Sequence, residues 1–241
     1  LGHKVDAREH YELARGLRPD MGAPHIGLGM IAGNSEGDRK KALKHFQAAV
    51  DLEPEMPAYR CSLAMALTEA SCNEEAHDSY QEALRLAPEF PDAIGGVARL
   101  FSLEGEYGNA MEQIELLQSK EIYNFNAAIA FTIICKHSGH CNEAVEYAEK
   151  ALENKRLNGR SLGALHMHIA RALDYMDHYD EAWPHFVTGK QVTAQLYDTV
   201  AHRVRTEKMM EVFSQAGLLS FPRSNLNSKR PIFIVGMPRS G

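Results

Sequence analysis

Residues 42–54, ALKHFQAAVDLEP, and residues 76–88, AHDSYQEALRLAP, carry one pattern at an offset of 34. Ala42, Phe46, Ala49 and Pro54 return as Ala76, Tyr80, Ala83 and Pro88, with the same internal spacing. A fixed period of this length decides the architecture before any single residue does, because each unit must be one supersecondary element that buries its apolar face on its neighbours. A third copy keeps Ala110 and places Ile114 and Leu117 at the next two positions, and a fourth keeps Ala144, Ala148 and Ala151; both lack the proline. The fifth, Ala182 with Phe186 and Gly189, arrives 38 residues after the fourth, which predicts an insertion of about four residues near Asn158 to Gly163. Upstream, Ala7, Tyr11, Ala14 and Pro19 read as the second half of a partial repeat.

The first half of each repeat puts a large apolar residue beside a small one: Leu28-Gly29, Leu63-Ala64, Val97-Ala98 and Ile169-Ala170, with Phe131-Thr132 the weaker match. Gly105, Gly139 and Asp177 stand where two helices of a hairpin should join, and glycine there supplies the positive φ that ends a helix. Small residues at a helix crossing let two backbones approach closely, and the aromatic farther along fills the gap beside them. Pro54 and Pro88 stop the second helix because proline cannot donate an N–H and clashes with the preceding turn. Enlarging Ala76 or Ala110 should therefore cost about 1–3 kcal/mol through overpacking, measurable as a lowered thermal midpoint.

This pattern resembles the tetratricopeptide (TPR) repeat, over residues 1–190 in about five repeats of which the first is partial. The resemblance implies an all-α, right-handed TPR superhelix of helix-turn-helix repeats. Residues 191–217 lack the alanine signature but keep Val192, Leu196, Val200, Val204, Met209, Val212 and Phe213 at helical spacing. One long or two shorter helices capping the open end of the array are expected there.

From Leu218 the texture changes. Residues 218–230 carry Pro222 among several serines and asparagines and read as a linker; from 218 to the end there are four cations, Arg223, Lys229, Arg230 and Arg239, and no acid. Residues 231–241, PIFIVGMPRSG, combine a short β-branched and aromatic run with a turn of glycine, serine and arginine. Such a run suits a strand buried in a parallel sheet, and such a turn presents backbone N–H groups to a phosphate. Arg239 adds a permanently charged fork for two oxyanion oxygens. G-x-x-x-x-G also opens the P-loop of nucleotide triphosphatases, whose next residues would be Lys and then Ser or Thr.

The whole string is similar to the opening of the sulfotransferase domain in bacterial TPR-containing sulfotransferases. That resemblance implies a truncated α/β domain that binds phosphoadenosine phosphosulfate (PAPS) through Gly236, Pro238, Arg239, Ser240 and Gly241, with Arg239 stabilising charge on the sulfuryl group in flight. The array would then be the scaffold of a PAPS-dependent sulfotransferase acting on a protein, peptide or glycan, and the 241 residues alone are not expected to catalyse transfer. The alternatives are a stand-alone TPR interaction module and a TPR array fused to a P-loop domain.

The inner face of each first helix is where TPR proteins hold a peptide, and the register places Met65, Arg99, Ile133, Lys136, Met167, Arg171 and Tyr175 there, beside Cys61, Thr68, Ser102, Asn126, Ile129 and Ala164. This face lacks the recurring Lys, Asn and Arg set that clamps a C-terminal carboxylate in chaperone-binding TPR domains. Composition narrows the remaining classes. With 44% hydrophobic and 24% charged residues and a net charge of -6, the chain is globular and offers no broad basic field for nucleic acid. No run of about eighteen apolar residues spans a bilayer. Four cysteines, Cys61, Cys72, Cys135 and Cys141, without a C-x-x-C pair suit a reducing compartment, so a cytoplasmic location is expected. Cys135, His137, His140 and Cys141 cluster in sequence, yet Cys135 and Cys141 fall on packing positions, and no metal site is expected.

Overall fold

The computed structural model describes residues 2–33, 38–153, 157, 159–193 and 199–212. The chain divides into two compact units, Leu1–Ala194 and Gln195–Gly241. The first contains α1 (Gly2–Leu17), α2 (Ala23–Ile31), α3 (Arg39–Leu52), α4 (Pro57–Glu69), α5 (Asn73–Leu86), α6 (Pro91–Glu104), α7 (Tyr107–Gln118), α8 (Phe125–Ser138), α9 (Cys141–Leu152), α10 (Gly159–Tyr175) and α11 (Tyr179–Thr193). In the second, α12 (Thr199–Val212) is the described element. No strand occurs among the described residues. The linker and the strand and loop expected over residues 218–241 lie outside them.

Five antiparallel hairpins follow α1: α2 with α3, α4 with α5, α6 with α7, α8 with α9 and α10 with α11. The first helices of successive hairpins, α4, α6, α8 and α10, pack on one another, and each second helix packs on the first helix of the next hairpin. The helix ends follow from local chemistry. Pro57 and Pro91 begin α4 and α6 with the φ that a first turn needs, and the residues before them, Met56 and Phe90, are extended as a pre-proline residue must be. At the hairpin bends, Ser71, Gly105, Gly139 and Asp177 take φ of 62°, 83°, 77° and 62°. The N–H groups of Cys72, Glu106 and His178 then reach back to the carbonyls of Leu67, Phe101 and Leu173, closing the helix end as a Schellman turn does. Ser71 holds the same bend as Gly105 one period earlier, a position that its residue type does not announce.

The repeat alanines are the centre of the packing: Ala76, Ala110, Ala144, Ala64, Ala98 and Ala170 have no exposed surface. A second complementarity runs between hairpins. Gly27 and Gly96 occupy one register position, two before the small residue of the crossing, and the ring of a preceding tyrosine fills the space above each. A Cβ on Gly27 would lie 2.4 Å from Tyr11 Cζ, and one on Gly96 2.3 Å from Tyr80 Cε1. Tyr80 is 1% exposed and has nowhere to move. Gly96→Ala should therefore destabilise by up to about 2 kcal/mol in urea titrations: the overpacking of about 1–3 kcal/mol outweighs the helix-propensity gain of about 1 kcal/mol. An unchanged or raised midpoint would show that Tyr80 yields.

The four residues inserted before the fifth repeat have a definite fate. The small residue of the crossing lies seven residues after the start of α4, α6 and α8 (Pro57 to Ala64, Pro91 to Ala98, Phe125 to Thr132), but eleven after the start of α10 (Gly159 to Ala170). The insertion becomes one additional turn at the front of α10, since four residues make about one helical turn. That turn carries Arg160.

Candidate peptide-binding groove

The stacked first helices line a cavity of about 270 Å³. Met30 of α2, Phe46 of α3, Met65 of α4 and Phe125 of α8 supply apolar wall, and Arg39, Arg99 and Arg160 supply charge against one acid, Glu69. Arg160, on the extra turn of α10, donates from Nη1 to the carbonyl of Gly33 at 3.3 Å, so the fifth hairpin meets the end of α2 across the groove.

Arg99 is held from below by a chain of local causes. Asn124 caps α8, its Oδ1 accepting from the N–H groups of Asn126 and Ala127 while its Nδ2 donates to Asp92 at 2.8 Å. Gly95 makes room for that cap, because a Cβ there would lie 2.1 Å from Asn124 Oδ1. The hydroxyl of Tyr147 accepts from Asn124 N–H at 3.1 Å and donates to the Ile122 carbonyl at 2.7 Å, fixing the turn before the cap. With the start of α8 so anchored, the buried Asn126 presents Oδ1 to Arg99 Nη1 at 3.2 Å. Arg99 Nε is buried and is, among the described residues, the one such side-chain nitrogen or oxygen without a hydrogen-bond partner.

A second cavity of about 360 Å³ lies between α8 and α10. Ile133, Lys136, Arg171 and Tyr175 line it, with Asp174 and His168. His168 Nδ1 lies 3.3 Å from Thr132 Oγ1, which also donates to the Ile129 carbonyl. Burial first, then the charges of Arg171 and Arg99, push His168 down to about 4, so the ring is neutral at pH 7.

Of the residues expected on the inner face, Met65 and Arg99 border the first cavity with Ala164, and Ile133, Lys136, Arg171 and Tyr175 border the second. Met167 borders neither: its Sδ would lie 3.2 Å from a Cβ on Gly189 of α11. Cys61, Thr68, Ser102, Asn126 and Ile129 are buried. The face that a helical register assigns to the groove is shared between groove and seam, because each first helix also packs sideways on the next. Met30, Arg39, Phe125 and Arg160 were not legible as groove residues, since they lie at helix ends or in the lengthened turn rather than at the repeating register.

The clustered cysteines and histidines diverge. His137 stacks on Tyr107 with ring centroids 4.3 Å apart, His140 pairs with Glu143, and the Sγ atoms of Cys135 and Cys141 face each other at 2.8 Å. Burial first, then Cys141, pushes the Cys135 thiol up to about 12. Among the described residues no three His, Cys, Asp or Glu side chains converge as metal ligands, and no helix is long and apolar enough to cross a membrane. Gly236, Pro238, Arg239, Ser240 and Gly241 lie outside the described residues.

No protein-family profile matches the chain. An uncharacterized protein of Aquifex aeolicus (strain VF5) is 23% identical over 194 residues, covering 80% of this chain and 25% of the relative. The TPR repeat-containing thioredoxin TTL4 of Arabidopsis thaliana is 36% identical over 79 residues, 33% of this chain and 12% of its own. The chain therefore spans a quarter or less of the length of these relatives. Among solved structures, the APC/C hetero-tetramer Cut9-Hcn1 matches at a TM-score of 0.67 and 14% identity, over 87% of this chain and 40% of that one. A tetratricopeptide repeat protein from Parabacteroides merdae ATCC 43184 matches at 0.61 and 13% identity, over 87% and 78%. At such identities the likeness establishes the fold alone: the hairpin array is of the tetratricopeptide-repeat kind.

Proposed function

We propose that this TPR array is a protein-interaction scaffold whose inner groove seats a peptide segment of a partner. The observation that carries the reading is the cavity at Met65, Phe125 and Arg99, where half-buried apolar wall and an unsatisfied donor stand together on a stacked-helix scaffold. The solved structure with the higher TM-score is itself a protein assembly, Cut9 with Hcn1, which supports partner binding as a use of the fold. The test places a photoreactive phenylalanine analogue at Met65 or at the exposed Glu115 of α7 and illuminates each protein with a random peptide library. Crosslinking at Met65 and not at Glu115 is expected; equal yields would refute a groove.

A second reading rests on residues 231–241. The likeness of PIFIVGMPRSG to the start of a sulfotransferase domain supports the array as the scaffold of a PAPS-dependent sulfotransferase. Gly236, Pro238, Arg239, Ser240 and Gly241 would hold the phosphosulfate end of PAPS, with Arg239 meeting its charge. Calorimetric titration of PAPS into the full gene product should show binding that Arg239→Ala abolishes; no heat of binding to the folded wild type would end this reading.

A further inference from the structure

We infer that the segment seated in the groove carries an acidic side chain next to an apolar one, the carboxylate docking among the guanidinium groups of Arg99, Arg39 and Arg160 and the apolar side chain on Met65 and Phe125. This deepens the groove reading and rests on it.

Three observations converge. First, Asn126 occupies Nη1 of Arg99 and leaves Nε buried without an acceptor. A carboxylate beside this guanidinium gains a charge-assisted interaction, stronger than a hydrogen bond between neutral groups. Asn126 holds the guanidinium in place, so little freedom is lost when an anion binds. Second, charge is concentrated here against the trend of the chain. The whole sequence carries a net -6, yet the first cavity sets Arg39, Arg99 and Arg160 against Glu69, and the second sets Lys136 and Arg171 against Asp174. A cationic groove on an anionic protein steers an acidic segment inward and turns a basic one away. Third, Met65 and Phe125 border the same cavity as Arg99, so a peptide with only acids would leave that wall wet. The extra turn of α10 brings Arg160 across to Gly33 and limits the cavity at that side, which favours one extended strand of peptide over a bulky domain surface.

The experiment measures fluorescence polarisation of the 241-residue chain with three fluorescein-labelled decapeptide pools, random except for a central Leu-Glu, Leu-Gln or Leu-Lys. The Leu-Glu pool should bind at least tenfold more tightly than the Leu-Gln pool, and the Leu-Lys pool most weakly. Arg99→Met should reduce the Glu-over-Gln preference to threefold or less, and 0.5 M salt should shrink it in the wild type. Should Arg99→Met fail to fold, Arg160→Met reports on the same preference from an exposed side chain, with a partial loss expected. Equal binding of the Glu and Gln pools by wild type overturns the acidic specificity and leaves the groove standing. Binding of no pool overturns both.

Discussion

Phe131→Ala should lower the stability of the array by about 3–5 kcal/mol, the usual range for emptying a fully buried aromatic site. Phe131 has no exposed surface and meets the ring of Tyr147 edge-on, with centroids 6.1 Å apart. It belongs to the largest of three core clusters, which runs from Ile94 to Ala182. The other two are centred on Tyr80 and on Phe46, and neighbouring clusters share side chains: Leu84 and Phe101 touch the first and second, Leu67 the second and third. Stability in such a stack is a sum of nearest-neighbour terms, so a cavity in the fourth hairpin is not diluted over the molecule. Urea unfolding of Phe131→Ala should show an early transition for hairpins four and five, whereas Phe131→Leu should cost less than about 1.5 kcal/mol. A single unshifted transition for Phe131→Ala would mean that the fourth hairpin is not where the array is held.

Acidification should destabilise the fold before most carboxylates titrate. Below pH 6.5 the unfolded chain protonates His168, while the folded chain refuses the proton until about pH 4. The stability present above pH 6.5 is thus lost as pH falls, by about 2 kcal/mol at pH 5 and about 3 kcal/mol near pH 4. Four further histidines act with the same sign, each pushed down first by burial: His25, also by Arg15; His45, also by His25, Arg15 and Lys41 against Glu12; His166, also by His185; and His185 itself. They form two pairs, with Nδ1 atoms 3.2 Å apart for His25 and His45 and 3.0 Å for His166 and His185. Both pairs occupy one register, four residues before the small crossing residue and three after the repeat alanine. Urea titrations at pH 7 and pH 5 should show His168→Gln losing about 2 kcal/mol less than wild type over this interval. Equal losses in the two proteins would assign the effect to the paired histidines instead.

The period, the paired helices of each hairpin and the helix stops were legible because they are local. A residue at 34-residue spacing meets the same neighbours in every repeat, so burial selects Ala76, Ala110 and Ala144 alike. Proline and pre-proline geometry act within two residues. Gly27 with Tyr11 and Gly96 with Tyr80 share one internal spacing as well, and an aromatic matched to a glycine sixteen residues later was a readable signal. Ser71 was less readable, since a serine forced to φ of 62° is chosen by the hairpin and not by its own preference.

The groove was decided elsewhere. The sequence by itself determined that four residues are inserted before the fifth repeat; only the tertiary structure decided that they extend α10 forward by a turn and not the loop behind it. Arg160 and Gly33 are 127 residues apart, and their meeting depends on the rotation accumulated over every intervening hairpin. Each rotation is a small sum of packing terms that no local pattern spells out. For the same reason the sequence determined that Arg99 lies on a first helix, while the fold decided that Asn126 would take one edge of its guanidinium and leave the other, buried and without an acceptor, at the wall of the cavity.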